Sequence, residues 1–72
     1  MLKRVIKLNN LIKVKRVEMG WTQDGLAEKL DVSRQTIISL EKGKYNPSLV
    51  LAFKAANLFE CSIEELFIYK EE

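Results

Sequence analysis

Residues 31–48 read DVSRQTIISLEKGKYNPS. Within them a polar cluster, Ser33-Arg34-Gln35-Thr36, stands directly against an apolar helical pattern, Ile37-Ile38-Leu40. A helix that serves only a core has no use for Arg, Gln and Thr grouped at its N-terminal end. A helix that offers its first turn to a ligand does. Ser33 suits an N-cap and Gly43 suits the left-handed position after a helix, so a helix is expected over about 34–42. Ile37 and Leu40 would form its buried side.

Caps and breakers divide the rest of the chain in the same way. Thr22 caps an expected helix over 23–30, where Leu26, Ala27 and Leu30 fall on one face. Gly25 in its first turn is a poor helix former, costing about 1 kcal/mol against Ala. Asp31-Val32 makes the turn between the two helices. Upstream, Asn9-Asn10 offers an N-cap for a helix over about 10–19 that stops at Gly20. Its inward residues are expected to be Ile12 and Met19, with Leu11, Val14 and Val17 as alternatives. Downstream, Tyr45-Asn46-Pro47 reads as a loop, and Ser48 caps a fourth helix reaching about Phe59. Its apolar face is Leu51 or Ala52, Ala55, and Leu58 or Phe59. Ser62 and Glu65 form an S-x-x-E capping box for a short fifth helix ending near Leu66.

The two ends differ from this helical middle. Residues 2–8, LKRVIKL, alternate with an imperfect period of 2, and residues 67–71 are again strand-like. They are expected to pair as a short antiparallel ribbon leaning on the helices, because an isolated two-stranded ribbon is marginal. The alternative is frayed ends. The expectation is therefore one all-α domain over 1–72, with five helices, a helix-turn-helix at 23–42 and a ribbon joining the termini.

Composition narrows the function classes. The chain has 72 residues, enough for one domain. Its single cysteine, Cys61, excludes an internal disulfide and reads as a small core thiol, with a redox role as the alternative. There is no histidine, no Cys/His cluster with metal-ligand spacing and no Gly-rich phosphate loop. Glu64-Glu65 at a helix start suits the helix dipole without any chemistry. No catalytic residue, metal or cofactor is expected, and the chain does not read as an enzyme. Its apolar runs are far shorter than the roughly 20 residues that span a membrane, and no signal-peptide pattern is present. A cytoplasmic, nucleoid-associated location is expected.

Net charge is only +2, yet it is unevenly spread. Residues 1–16 carry Lys3, Arg4, Lys7, Lys13, Lys15 and Arg16 and no acid. Residues 55–72 carry Glu60, Glu64, Glu65, Glu71 and Glu72 against Lys70. Such a polarised surface helps to orient a protein on a polyanion, although two solvated faces give the same pattern.

The stretches IKVKRVEMGWTQDGLAEKL, VSRQTIISLEKGKYNPSL and LAFKAANLFECSIEELF carry a more specific signal. Over residues 9–67 the chain resembles the Cro/C1-type (XRE) helix-turn-helix family of phage and bacterial regulators. It looks most like the short single-domain repressors of the cytolysin-repressor type. The resemblance implies a five-helix lambda-repressor-like fold with paired terminal strands. It implies double-stranded DNA as the partner and a homodimer as the acting form, with half-sites about one helical turn apart, roughly 34 Å.

The resemblance also assigns roles. The third helix would enter the major groove, so Ser33, Arg34, Gln35, Thr36 and Ser39 become the base-reading candidates. Arg grips guanine O6 and N7 in a bidentate manner, and Gln does the same with adenine N6 and N7. Gln23, Lys42, Lys44, Tyr45 and Asn46 become the phosphate-binding candidates. For Tyr45 the alternative is packing over the fourth helix, and for Lys42 and Lys44 a solvated helix end. Arg16 and Glu41 match positions that form a mostly buried ion pair in several relatives. Three departures bear on stability: Lys15 stands where many members have Leu, Gly25 where an acid is usual, and Asp31 where a turn glycine is usual. The stem of Lys15 can pack while its amine reaches solvent. Asp tolerates a left-handed conformation better than most residues.

The dimer surface is expected around the fifth helix, with Leu58, Phe59, Ile63 or Ile68 as candidates. A competing reading is an antitoxin-like interaction module in which DNA binding is secondary. Such modules usually carry an extension for the partner, and little sequence follows residue 67.

Overall fold

A computed structural model describes residues 6–71. The chain runs β1 (Ile6–Asn10), α1 (Ile12–Glu18), α2 (Gln23–Leu30), α3 (Arg34–Glu41), α4 (Leu49–Leu58), α5 (Ile63–Leu66) and β2 (Phe67–Glu71). No helix of the described residues is long and apolar enough to cross a membrane.

Polar caps set the starts of four helices. The side chains of Thr22, Ser33, Ser48 and Ser62 each accept a hydrogen bond from the backbone N–H three residues on. At α5 the box closes both ways, because the Glu65 carboxylate also accepts from the Ser62 N–H. These two Ser62 groups, the backbone N–H first, hold the Glu65 carboxyl below its ordinary value of 4.5. Gly25 has a local reason: a Cβ there would lie 3.2 Å from Thr22 Oγ1, the atom that caps α2.

Two departures from simple helix endings matter. Asp31 takes the left-handed conformation, φ 58 and ψ 47, and its N–H closes the last turn of α2. Glu60 does the same after α4 at φ 54, with no glycine in the sequence to announce it. The end of α2 is further held by Lys54 Nζ, which donates to the Leu30 carbonyl at 3.3 Å.

The core is made from one face of every helix. Ile12, Leu26, Leu30, Ile37, Leu40 and Leu66 are fully enclosed, each contributing about 1.5–3 kcal/mol of transfer free energy. Ala27, Ala52, Ala55 and Ala56 let the helices approach closely, and Leu51 and Phe67 complete the cluster. Leu11, Trp21, Val32, Leu58, Phe59, Cys61 and Ile63 pack around it half-buried. Trp21 lies 5.7 Å from Phe59 between ring centroids, and Lys29 Nζ sits 4.7 Å above the indole.

β1 and β2 pair antiparallel from Ile6 opposite Glu71 to Asn10 opposite Phe67. The ribbon joining the termini is therefore present, and its first strand runs on to Asn10, past the expected end at residue 8. Residues 2–5 of that expectation lie outside the described residues. Asn9 and Asn10 extend the strand instead of opening α1 from outside it. Asn10 still serves the helix: its Oδ1 accepts from the Ile12 N–H at 3.1 Å. Its Nδ2 donates to the Leu40 carbonyl at 2.8 Å, tying the ribbon to the end of α3.

Met19 is not an inward residue. It lies beyond α1 as its C-cap and is 50% exposed. Val14 and Val17 also face out, leaving Ile12 as the one fully buried side chain of this seven-residue helix. Leu11 and Trp21, on either side of the helix, pack half-buried against the same core.

Candidate nucleic-acid interface

The functional face follows from how α3 is held. Its buried stripe, Ile37 and Leu40, fills the space against the other helices and has no exposure at all. Everything on the opposite side is therefore presented outward. Arg34 and Gln35, in the first turn, are exposed, and Thr36 is half-buried. Ser39, one turn after Gln35, lies on the same side at intermediate exposure.

Ser33 and Thr36 are linked to each other. Ser33 Oγ accepts from the Thr36 N–H at 3.1 Å and lies 2.9 Å from Thr36 Oγ1. Their hydroxyls thus stiffen the entry to α3. Each retains capacity for at least one further partner, because a hydroxyl donates once and accepts twice. Arg34 and Gln35 are the long side chains free to reach beyond this cap.

Glu41, at the other end of α3, anchors the helix. Its Oε2 lies 2.6 Å from Arg16 Nε, and Oε1 lies 3.3 Å from Arg16 Nη2, a fork-to-fork arrangement. The two side chains are 11% and 4% exposed. Arg16 Nη1 continues to the Trp21 carbonyl at 2.8 Å. Gln23 Nε2 donates to Glu41 Oε1 at 3.2 Å. The Arg16–Glu41 pair thereby joins α1, the loop before α2, α2 and α3. Gln23, expected at a phosphate, sits on this brace with its second amide N–H still to spend.

The residues after α3 turn away tightly. Gly43, at φ 72, and Lys44 return N–H groups to the carbonyls of Leu40 and Ser39, both at 3.0 Å. This turn sets Lys42, Lys44, Tyr45 and Asn46 in the open beyond the C-terminal end of α3. Tyr45 is 39% exposed.

One residue of this face had no distinct signal in the sequence. Asp24, in the first turn of α2, places Oδ1 3.8 Å from Arg34 Nε. Asp24, Arg34, Gln23, Thr22 and Arg16 line one open cleft between the N-termini of α2 and α3. An acid in a first helical turn is favoured by the dipole alone, which hides any second role.

A buried apolar stripe, a polar first turn turned outward and exposed lysines beyond the far end define a DNA-binding helix-turn-helix module. The family comparison agrees. Residues 12–66 match the helix-turn-helix family HTH_3. The HTH-type transcriptional regulator MJ0272 of Methanocaldococcus jannaschii is 54% identical over 65 residues, covering 90% of this chain and 98% of its own. The antitoxin HipB of Escherichia coli O6:H1 is 37% identical over 57 residues, covering 79% of this chain and 61% of its own. A protein of Bacteroides fragilis superposes with a TM-score of 0.73 at 33% identity, covering 83% of this chain and 97% of its own. The chain belongs to the Cro/C1-type helix-turn-helix family of transcriptional regulators.

Proposed function

We propose that this protein is a sequence-specific transcriptional repressor that binds an inverted-repeat operator as a homodimer. α3 lies in the major groove with its N-terminal end toward the bases. Arg34 and Gln35 read base edges, and Ser33, Thr36 and Ser39 add shorter contacts. Lys42, Lys44, Tyr45 and Asn46 hold the phosphate backbone on one flank. Gln23 holds it on the other, where the N-terminus of α2 offers free N–H groups. Phosphate contacts set register and affinity, while the base edges supply the choice of sequence.

The observation that carries this reading is the split character of α3. Ile37 and Leu40 are fully buried while Arg34 and Gln35 stand exposed one turn earlier. A dimer follows from the small reach of one module, because two copies about a two-fold axis read half-sites one turn of DNA apart. Repression is the simplest consequence of such occupancy, since a bound dimer excludes other proteins from the same duplex. The setting is the cytoplasm.

The test is selection from a random duplex library with the purified protein at two salt concentrations. The expected result is an enriched inverted repeat with half-site centres roughly 34 Å apart. Binding without enrichment that disappears as salt rises would overturn sequence reading. It would favour an interaction module, a reading for which the similarity to HipB is the motive.

A further inference from the structure

We propose that Asp24 is a positioning residue for Arg34, and that it sets sequence selectivity through its hold over Arg34. The inference deepens the proposed function and depends on Arg34 reading a base.

Arg34 is the first residue of α3 and Asp24 the second residue of α2. The turn between the helices brings these two N-terminal ends together, with Asp24 Oδ1 3.8 Å from Arg34 Nε. Both side chains are open to water, at 74% and 62% exposure respectively. In the free protein such a pair contributes little, because solvent screens it and both side chains lose freedom. Its stability role is therefore small, and its position on the DNA-facing cleft needs another account.

Two effects appear when a duplex approaches. Water leaves the cleft, so the attraction between carboxylate and guanidinium strengthens. The carboxylate then restrains an otherwise flexible arginine near one direction. At the same time Asp24 faces the phosphates that Gln23 and the N-terminus of α2 would meet. A carboxylate there weakens every duplex alike, which lowers affinity without discriminating, so the selectivity rests on its hold over Arg34. Without Asp24, Arg34 is free to turn to the nearest phosphate, which is present in every sequence. Selectivity here comes from weakening the wrong complexes as much as from strengthening the right one.

The test uses the full chain, its selected duplex, a panel carrying each single base-pair change in one half-site, and a random-sequence duplex. Three variants are compared with the parent: Asp24→Asn, Arg34→Ala and the double variant. Thermal melting confirms that each is folded. Asp24→Asn is expected to bind the random duplex about two- to fivefold more tightly, the range typical of one exposed charge pair. It should lose discrimination by a similar factor at the one base pair whose preference Arg34→Ala erases. The double variant should then show the base preferences of Arg34→Ala alone.

A uniform change on all duplexes would reduce Asp24 to bulk charge and overturn the proposal. Loss of discrimination at a different base pair, or further loss in the double variant, would overturn it too. If Arg34→Ala itself kept every base preference, the assignment of Arg34 as a base reader would fall, and the role of Asp24 with it. A loss in Arg34→Ala beside an unchanged Asp24→Asn would sink the Asp24 role alone.

Discussion

Two arginine–carboxylate pairs flank the helix-turn-helix, and they differ in almost everything except chemistry. Arg16–Glu41 is short, at 2.6 Å, forked and nearly dry. Asp24–Arg34 is long, at 3.8 Å, and open to water. The first joins elements distant in sequence and carries the Gln23 and Trp21 contacts with it. The second joins two helix starts and holds nothing else in place. Burial decides the difference. A dry charge that loses its partner is left without solvation, so the inner pair acts as architecture. A wet charge loses little when its partner leaves, so the outer pair can rearrange on DNA.

Breaking the inner pair should have the largest effect. Glu41→Ala should lower the free energy of unfolding by about 3–5 kcal/mol, because it strands the Arg16 guanidinium. Urea denaturation measures it. Replacing both partners by apolar residues of similar volume should cost less than either single change. If Glu41→Ala costs no more than a surface mutation, the contrast between the pairs fails. Arg34→Ala is the matching change on the outer pair. It should leave unfolding nearly unaltered while weakening the selected duplex by about 1–3 kcal/mol and relaxing one base preference. A titration of parent and variant against single base-pair changes measures both.

A third variant sharpens the distinction between reading and holding. Lys44→Ala should weaken all duplexes alike and reduce the slope of log affinity against log salt by about one unit. Altered base preference with an unchanged slope would assign Lys44 to the reading side. The smallest effect concerns Glu65, a carboxylate held by hydrogen bonds and not by an arginine. Its folded pKa lies below 4.5, so its contribution is fully present above that value and is lost as pH falls through the lowered value. Glu65→Gln should flatten stability against pH in that acidic window only. Thermal melts of parent and variant from neutral to strongly acidic pH provide the comparison.

The legible parts of this chain were those governed by neighbours in sequence. Thr22, Ser33, Ser48 and Ser62 each announced a helix start, and each caps one. Ser62 with Glu65 announced a box that closes in both directions. The faces of α2 and α3 were legible because three or two apolar residues recur at helical spacing on one side of each helix. α1 was less so. Its apolar residues, Leu11, Ile12, Val14, Val17 and Met19, fall around the whole helix, and periodicity alone does not rank them. The strand at the N-terminus was legible as a strand, but not its extent, since Asn9 and Asn10 look like caps and here pair with Ile68 and Phe67.

The interface divides along the same line. Four of the five candidate base readers, Ser33 to Thr36, form one contiguous run, and a polar first turn before a buried stripe marks them locally. Asp24 carried no mark, because its distance from Arg34 depends on the angle between two helices. Asn10 reaching the Leu40 carbonyl, thirty positions away, is of the same kind.

Local order along the chain thus established the five helices, their capped starts, the turn at Asp31 and the polar start of α3, since each depends on residues within one or two turns. Packing settled which side of α1 faces the core, how the ribbon reaches α3, and which charges are dry. Those depend on the solvent each group loses when distant segments meet, and that loss is a property of the assembled core.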